Sequence, residues 1–245
     1  MNNRLLNVHD GEPVITVTSV SKTFGSRPVL RNIDIHVQRA QGLCICGVNG
    51  AGKSTLLRII AGLLKPAQGE VTVCGFNVDS EPQKTKSQLG VILHQSMLYP
   101  HLTIFENLLF FAKLYGLKDS HDRVEEVLED LGLSPYRYDK ASVLSRGMLQ
   151  RLAIARAMVH RPAVLLADEP FTGLDGQASR HLISVLSKFR AGGGTFVMTT
   201  HNANLALQCC DRVMVLDKNH FIFDAETGQI DTDRFTEDYL LYARS

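Results

Sequence analysis

The stretch Gly47-Val48-Asn49-Gly50-Ala51-Gly52-Lys53-Ser54-Thr55 constrains this chain more than any other. It fits the pattern G-x-x-x-x-G-K-S/T, in which a glycine-rich turn wraps its backbone N–H groups around an anion. The context agrees. Leu43-Cys44-Ile45-Cys46 before it reads as a buried strand, and Leu56, Leu57, Ile59 and Ile60 after it start a helical pattern that Gly62 and Pro66 end. A helix beginning at the loop adds the positive end of its dipole. Lys53 is expected to reach terminal phosphates, and the Ser54 hydroxyl to hold a magnesium ion.

The rest of the sequence sets this loop in an α/β frame. Val14 to Val20 and Leu30 to Val37 read as strands flanking a turn at Phe24-Gly25-Ser26-Arg27-Pro28, and Glu70 to Val78 as a short strand pair. These surround the loop with sheet that is in large part antiparallel. Val91-Ile92-Leu93 is a strand ending at His94-Gln95. From Ser96 to Arg161 the character becomes helical. Thr103 and Glu106 form a capping box before Leu108, Leu109, Phe110 and Phe111, and Gly116 closes that helix. Val124, Val127, Leu128 and Leu131 mark a second helix closed by Gly132, and Ser145 caps a third that runs to Pro162. Strand and helix then alternate. Val164 to Ala167 leads to Asp168-Glu169-Pro170, and a helix covers about Gln177 to Arg190. Thr195 to Thr200 leads to His201, and Val213 to Leu216 follows. Phe221 to Phe223 reads as an edge strand and Phe235 to Arg244 as a helix. Such alternation implies a mainly parallel sheet with covered faces. Met1 to Gly11 is polar and expected to fray.

Composition removes several function classes. A net charge of +1 over 245 residues gives no basic excess for nucleic acid. No signal-peptide pattern and no apolar run near the roughly 18 residues of a bilayer span is present, so the chain is expected to meet a membrane only through a partner. The five cysteines lack a framework spacing and read as small buried hydrophobes.

With the strand that leads into the glycine loop, four strand endings carry the chemistry. Asp168 ends an apolar strand where a carboxylate can meet the ion held by Ser54. Glu169 beside it can accept a proton from an attacking water. Gln95 and His201 end two further strands, and ligands of open α/β sheets sit beyond the carboxyl ends of their strands. The amide of Gln95 is placed to reach the metal or the water.

Order and spacing of these residues resemble the ATP-binding subunit of an ABC transporter over nearly the whole chain. Gly47 to Ser54 is similar to the Walker A motif, and Gln95 to the Q-loop. Leu144-Ser145-Arg146-Gly147-Met148 is similar to the signature motif. Val164 to Asp168 is similar to Walker B, with Glu169 as the catalytic glutamate. Gly173-Leu174-Asp175 is similar to the D-loop, and His201 to the switch histidine. Phe24 stands where the family has an adenine-stacking aromatic, usually Tyr. The resemblance implies one ABC ATP-binding domain over residues 1–245, with a helical subdomain of about 96–161. ATP and Mg2+ are the implied ligands, and two copies or a paired ATP-binding subunit would sandwich two ATP molecules. Ser145, Gly147 and Asp175 would serve the partner's nucleotide. A separate transmembrane permease is implied, with this chain peripheral on the cytoplasmic face of the inner membrane. Arg146 replaces a glycine of the usual signature and either adds charge or points to solvent.

The segments Leu144 to Ala157 and Asp168 to Asp175 look like bacterial export ATPases, among them the haem-exporter-like subunit of cytochrome c maturation. A soluble ABC ATPase, as in iron–sulfur assembly, and a nucleotide-binding module without turnover are the alternatives. The presence of both Glu169 and His201 speaks against the latter. Within the insertion, Tyr99, Phe105, Phe110, Phe111 and Tyr115 exceed the needs of a small core. Phe110 and Phe111 are expected inside, while Met97, Leu98 and Tyr99 are expected to line a groove for the membrane subunit.

Overall fold

The computed structural model describes residues 11–93 and 97–244. The polar stretch expected to fray lies outside the described residues except for Gly11, and so do His94, Gln95 and Ser96. Two sheets flank the helix that follows the glycine-rich loop. The smaller is antiparallel and has the order β2-β1-β4-β5, with β1 Ile15–Phe24, β2 Arg27–Val37, β4 Gln68–Val73 and β5 Phe76–Asn77. The larger has the order β10-β9-β3-β8-β7-β6, from β3 Gly42–Cys46, β6 Leu89–Ile92, β7 Val164–Asp168, β8 Thr195–Thr200, β9 Arg212–Asp217 and β10 His220–Glu226. Its pairs are parallel except β9 with the edge strand β10.

Strand alternation divides the interior. On β3, Leu43 and Ile45 face α1 (Lys53–Ile60), where Leu56, Leu57, Ile59 and Ile60 pack with Val17, Ile35 and Val71 of the antiparallel sheet. Cys44 and Cys46 face the other side and join a second core with the helices beyond. All five cysteines are buried as free thiols. The second core takes in α3 Ile104–Leu114, α4 Ser120–Asp130 and α5 Arg146–Met158, which stand between β6 and β7 in sequence. It also takes in α6 Gly176–Ala191, α7 Ala203–Cys209 and residues of α8 Thr232–Arg244.

The expected capping box is present. Glu106 N–H donates to Thr103 Oγ1 at 3.1 Å, and Thr103 N–H to Glu106 Oε2 at 2.8 Å. Other expectations shift. The turn after β1 narrows to Gly25-Ser26, because Phe24 and Arg27 already pair. The α5 helix stops at Met158 rather than reaching Pro162, and Arg161 takes a positive φ of 54°. Helix α2, Pro82–Gln88, was not anticipated. Only Thr85 of it is buried, so it carries no apolar stripe to read. Phe110, expected inside, is 42% exposed.

Candidate functional site

The loop after β3 is held by its glycines. Gly47, Gly50 and Gly52 have φ of 153°, 84° and 111°, values that L side chains rarely adopt. A Cβ on Gly47 would lie 2.4 Å from the Leu216 carbonyl oxygen, and one on Gly52 would lie 2.9 Å from that of Val29. Helix α1 opens with no side-chain cap and no acidic residue in its first turn, so its leading N–H groups stay available to an anion. Lys53 is buried, and its ammonium donates to the carbonyls of Gly47 at 2.7 Å and Val48 at 3.1 Å. Burial lowers the Lys53 pKa, while the Glu169 and Asp168 carboxylates oppose that shift.

The strand ends supply the carboxylates. Ser54 Oγ donates to Asp168 Oδ1 at 2.9 Å, and Thr199 Oγ1 donates to the same oxygen at 2.6 Å. Glu169 adopts a φ of 50°, unusual for a non-glycine residue. Its N–H is shared between the carbonyl and the hydroxyl of Thr199, at 3.2 and 3.1 Å. His201 Nδ1 lies 3.0 Å from Glu169 Oε1. Thus β3, β7 and β8 bring Ser54, Asp168, Glu169 and His201 to one edge, as the strand endings implied. Gln95 lies outside the described residues. Thr199 was missed; its only trace in sequence is a polar residue inside an apolar strand.

Ser54, Asp168 and Glu169 open on a cleft of about 570 Å³ lined also by Phe24, Arg27, Val29, Asn49, Gly50, Gly52, Lys53, Thr55 and Arg58. Phe24 is half exposed at its rim, with the Lys22 ammonium 5.4 Å from the ring centroid. Arg27 and Arg58 add cations that the sequence did not single out. A second cavity of about 580 Å³ beside the loop is lined by Val48, Ala51, Asp217 and Lys218 and lacks Asp168 and Glu169. The chemistry therefore belongs to the first. Its donors around Asp168 and Ser54 are oxygens alone, which suits a hard divalent cation such as magnesium.

Ser145, Gly147 and Asp175 do not line this cleft. Ser145 caps α5 by accepting the Met148 N–H at 3.3 Å, and Asp175 caps α6 by accepting that of Ala178 at 2.8 Å. The start of α5 lies against the Gly173-Leu174 segment that precedes α6. Arg146 is exposed, yet its stem lies across Gly173, where a Cβ would sit 2.8 Å from Nε. Gln150 Nε2 donates to Pro170 O at 2.9 Å, tying α5 to the segment that follows Glu169.

This constellation has relatives. The family model described as "ABC transporter" matches residues 30–172, more than half of the chain. An uncharacterized ABC transporter ATP-binding protein, YdbJ of Bacillus subtilis, is 37% identical over 92% of this chain and 73% of its own length. A Nod factor export ATP-binding protein I of Cupriavidus metallidurans is 35% identical over 88% and 74%. A phosphonates import ATP-binding protein PhnC of Caulobacter vibrioides is 32% identical over 93% and 94%. Among solved structures, the dimeric post-hydrolysis state of the ATP-binding cassette MJ0796, bound to ADP and Pi, superposes with a TM-score of 0.80. It is 28% identical and covers 87% of this chain and 98% of that one. The family model over more than half of the chain, with these relatives, places the chain in the ABC transporter family as an ATP-binding subunit and an ATPase.

Proposed function

We propose that this chain is the motor of an ABC transporter, a single ATP-binding domain with a helical subdomain inserted at about 96–161. ATP closes a dimer of such domains around two nucleotides, and hydrolysis opens it. The observation that carries the reading is the meeting of Ser54 with Asp168 and of Glu169 with His201 beside the loop. The loop N–H groups and Lys53 bind the phosphates, and the Phe24 ring at the rim offers a face to the base. Ser54 and Asp168 would hold magnesium, which supplies neutralisation of phosphate charge. Glu169 accepts the proton of the attacking water, and His201 keeps that carboxylate turned toward the cleft.

Ser145, Gly147 and Asp175 stand away from their own cleft, which supports their serving the nucleotide of the other copy. Among the described residues no helix is long and apolar enough to cross a membrane. Membership of the ABC transporter family supports a separate permease that completes the transporter and holds this chain at the cytoplasmic face. The exporter reading, with haem export for cytochrome c maturation as its candidate sub-type, rests on the Leu144–Ala157 and Asp168–Asp175 segments and on the likeness to a Nod factor export protein. The longer likeness to a phosphonates import protein leaves direction to the permease.

The test is Glu169→Gln. It keeps the binding contacts and removes the base, so hydrolysis falls roughly 10²–10⁴-fold while an ATP-bound dimer accumulates in gel filtration. Wild-type turnover would move the base elsewhere; a slow variant that stays monomeric with ATP would remove the sandwich.

A further inference from the structure

We infer that Tyr239, on α8, is a positioning residue for the phosphate-binding loop. Its hydroxyl oxygen accepts the Gly47 N–H at 3.2 Å across a separation of 192 residues, and the contact is buried. Gly47 opens the loop, and it is gripped from three directions. Its carbonyl accepts the Lys53 ammonium at 2.7 Å. Its α-carbon stands against Leu216 O, with no room for a Cβ. Its N–H is held by Tyr239.

The three holds are not equivalent once an anion arrives. An ammonium that turns from Gly47 O toward a phosphate gives up its share of the grip, whereas the hydroxyl on α8 keeps its own. The hydroxyl is aimed by a run of rings. Tyr239 is 5% exposed and stacks on Phe235 at 6.1 Å between centroids, and Phe235 packs on Phe223 of β10 at 5.1 Å. Burial pushes the phenol up to about 12, so it stays neutral near Glu169 over the working range of pH. Orienting the first peptide of the loop fixes the direction of the N–H groups after it, and these are the groups that meet phosphate.

Tyr239→Phe keeps the ring and removes only the hydroxyl. A role confined to satisfying a buried N–H lowers the melting temperature and leaves the kinetics alone. A positioning role raises KM for ATP and the Kd for ADP about 3- to 10-fold, the equivalent of one hydrogen bond, with kcat within twofold. The measurements are steady-state ATPase of the full chain with ATP and magnesium, well below the melting temperature, and calorimetric titration with ADP. Phe235→Leu, which keeps the hydroxyl but loosens its aim, raises KM in the same sense and serves if the first variant cannot be purified. An unchanged KM, or a fall in kcat beyond twofold, overturns the inference.

Discussion

Ser54 Oγ and Asp168 Oδ1 lie 2.9 Å apart although 114 positions separate them in the chain. One belongs to the first turn after the glycine loop and the other to the last residue of β7. Thr199 donates to the same carboxylate oxygen from β8, so three neighbouring elements set the carboxylate's direction. Asp168→Asn preserves its shape and removes its charge. We expect the magnesium concentration for half-maximal ATPase to rise at least about tenfold, a difference of about 1.4 kcal/mol. Nucleotide binding in the presence of a chelator should be unchanged. A titration of activity against magnesium decides it, and an unshifted curve would place the metal on other ligands.

Lys53→Ala should abolish productive ATP binding. Lys53 is the cation within the loop, and its removal also strips the Gly47 and Val48 carbonyls of their donor. Calorimetric titration with ATP and magnesium is the check; wild-type affinity and turnover would sink the assignment of this loop.

His160 should make stability depend on acid pH. Its Nε2 donates to Leu89 O at 3.0 Å, and its ring stacks on Tyr115 at 3.8 Å between centroids. Burial lowers its pKa to about 4; the Leu89 carbonyl opposes this, and the Arg156 and Arg123 cations add to it. The unfolded value is about 6.5. Between those values the unfolded chain holds a proton that the folded chain does not. Stability is therefore full above about pH 6.5, falls as pH drops toward 4, and levels below that. Denaturant unfolding at pH 7 and 4.5 should show about 2 kcal/mol less loss in His160→Gln than in the wild type. Equal losses in the two would contradict the assignment.

The loop after the Gln95 segment should touch the permease. Met97 and Tyr99 are 49% and 46% exposed, and Phe110 packs edge-on against Tyr99 at 5.0 Å. Leu98 turns instead toward the core, so cross-linking belongs at 97 and 99 rather than 98. Asn107, fully buried, accepts the Tyr99 N–H at 2.8 Å and donates to Tyr99 O at 3.1 Å, presenting the ring on a fixed backbone. Met97→Cys or Tyr99→Cys should cross-link to a cytoplasmic loop of a membrane protein, and Tyr99→Ala should lose transport with basal ATPase intact. No membrane capture, together with slowed basal hydrolysis, would favour a soluble ATPase.

The sequence by itself determined what is local. Glycine spacing, the Thr103–Glu106 cap and the apolar runs ending in Asp168 and His201 each state their element within a few residues, because backbone conformation and burial period are short-range properties. It also determined that the loop and the strand endings share one edge, since the carboxyl ends of parallel strands in one sheet all lie on the same side. Only the tertiary structure decided which side chains meet. Thr199 on Asp168, Tyr239 on Gly47 and the Arg146 stem across Gly173 join residues 27 to 192 positions apart. Nothing in either partner's neighbourhood names the other. Their pairing follows from packing between elements, where shape and the need to satisfy buried polar groups select one contact among many.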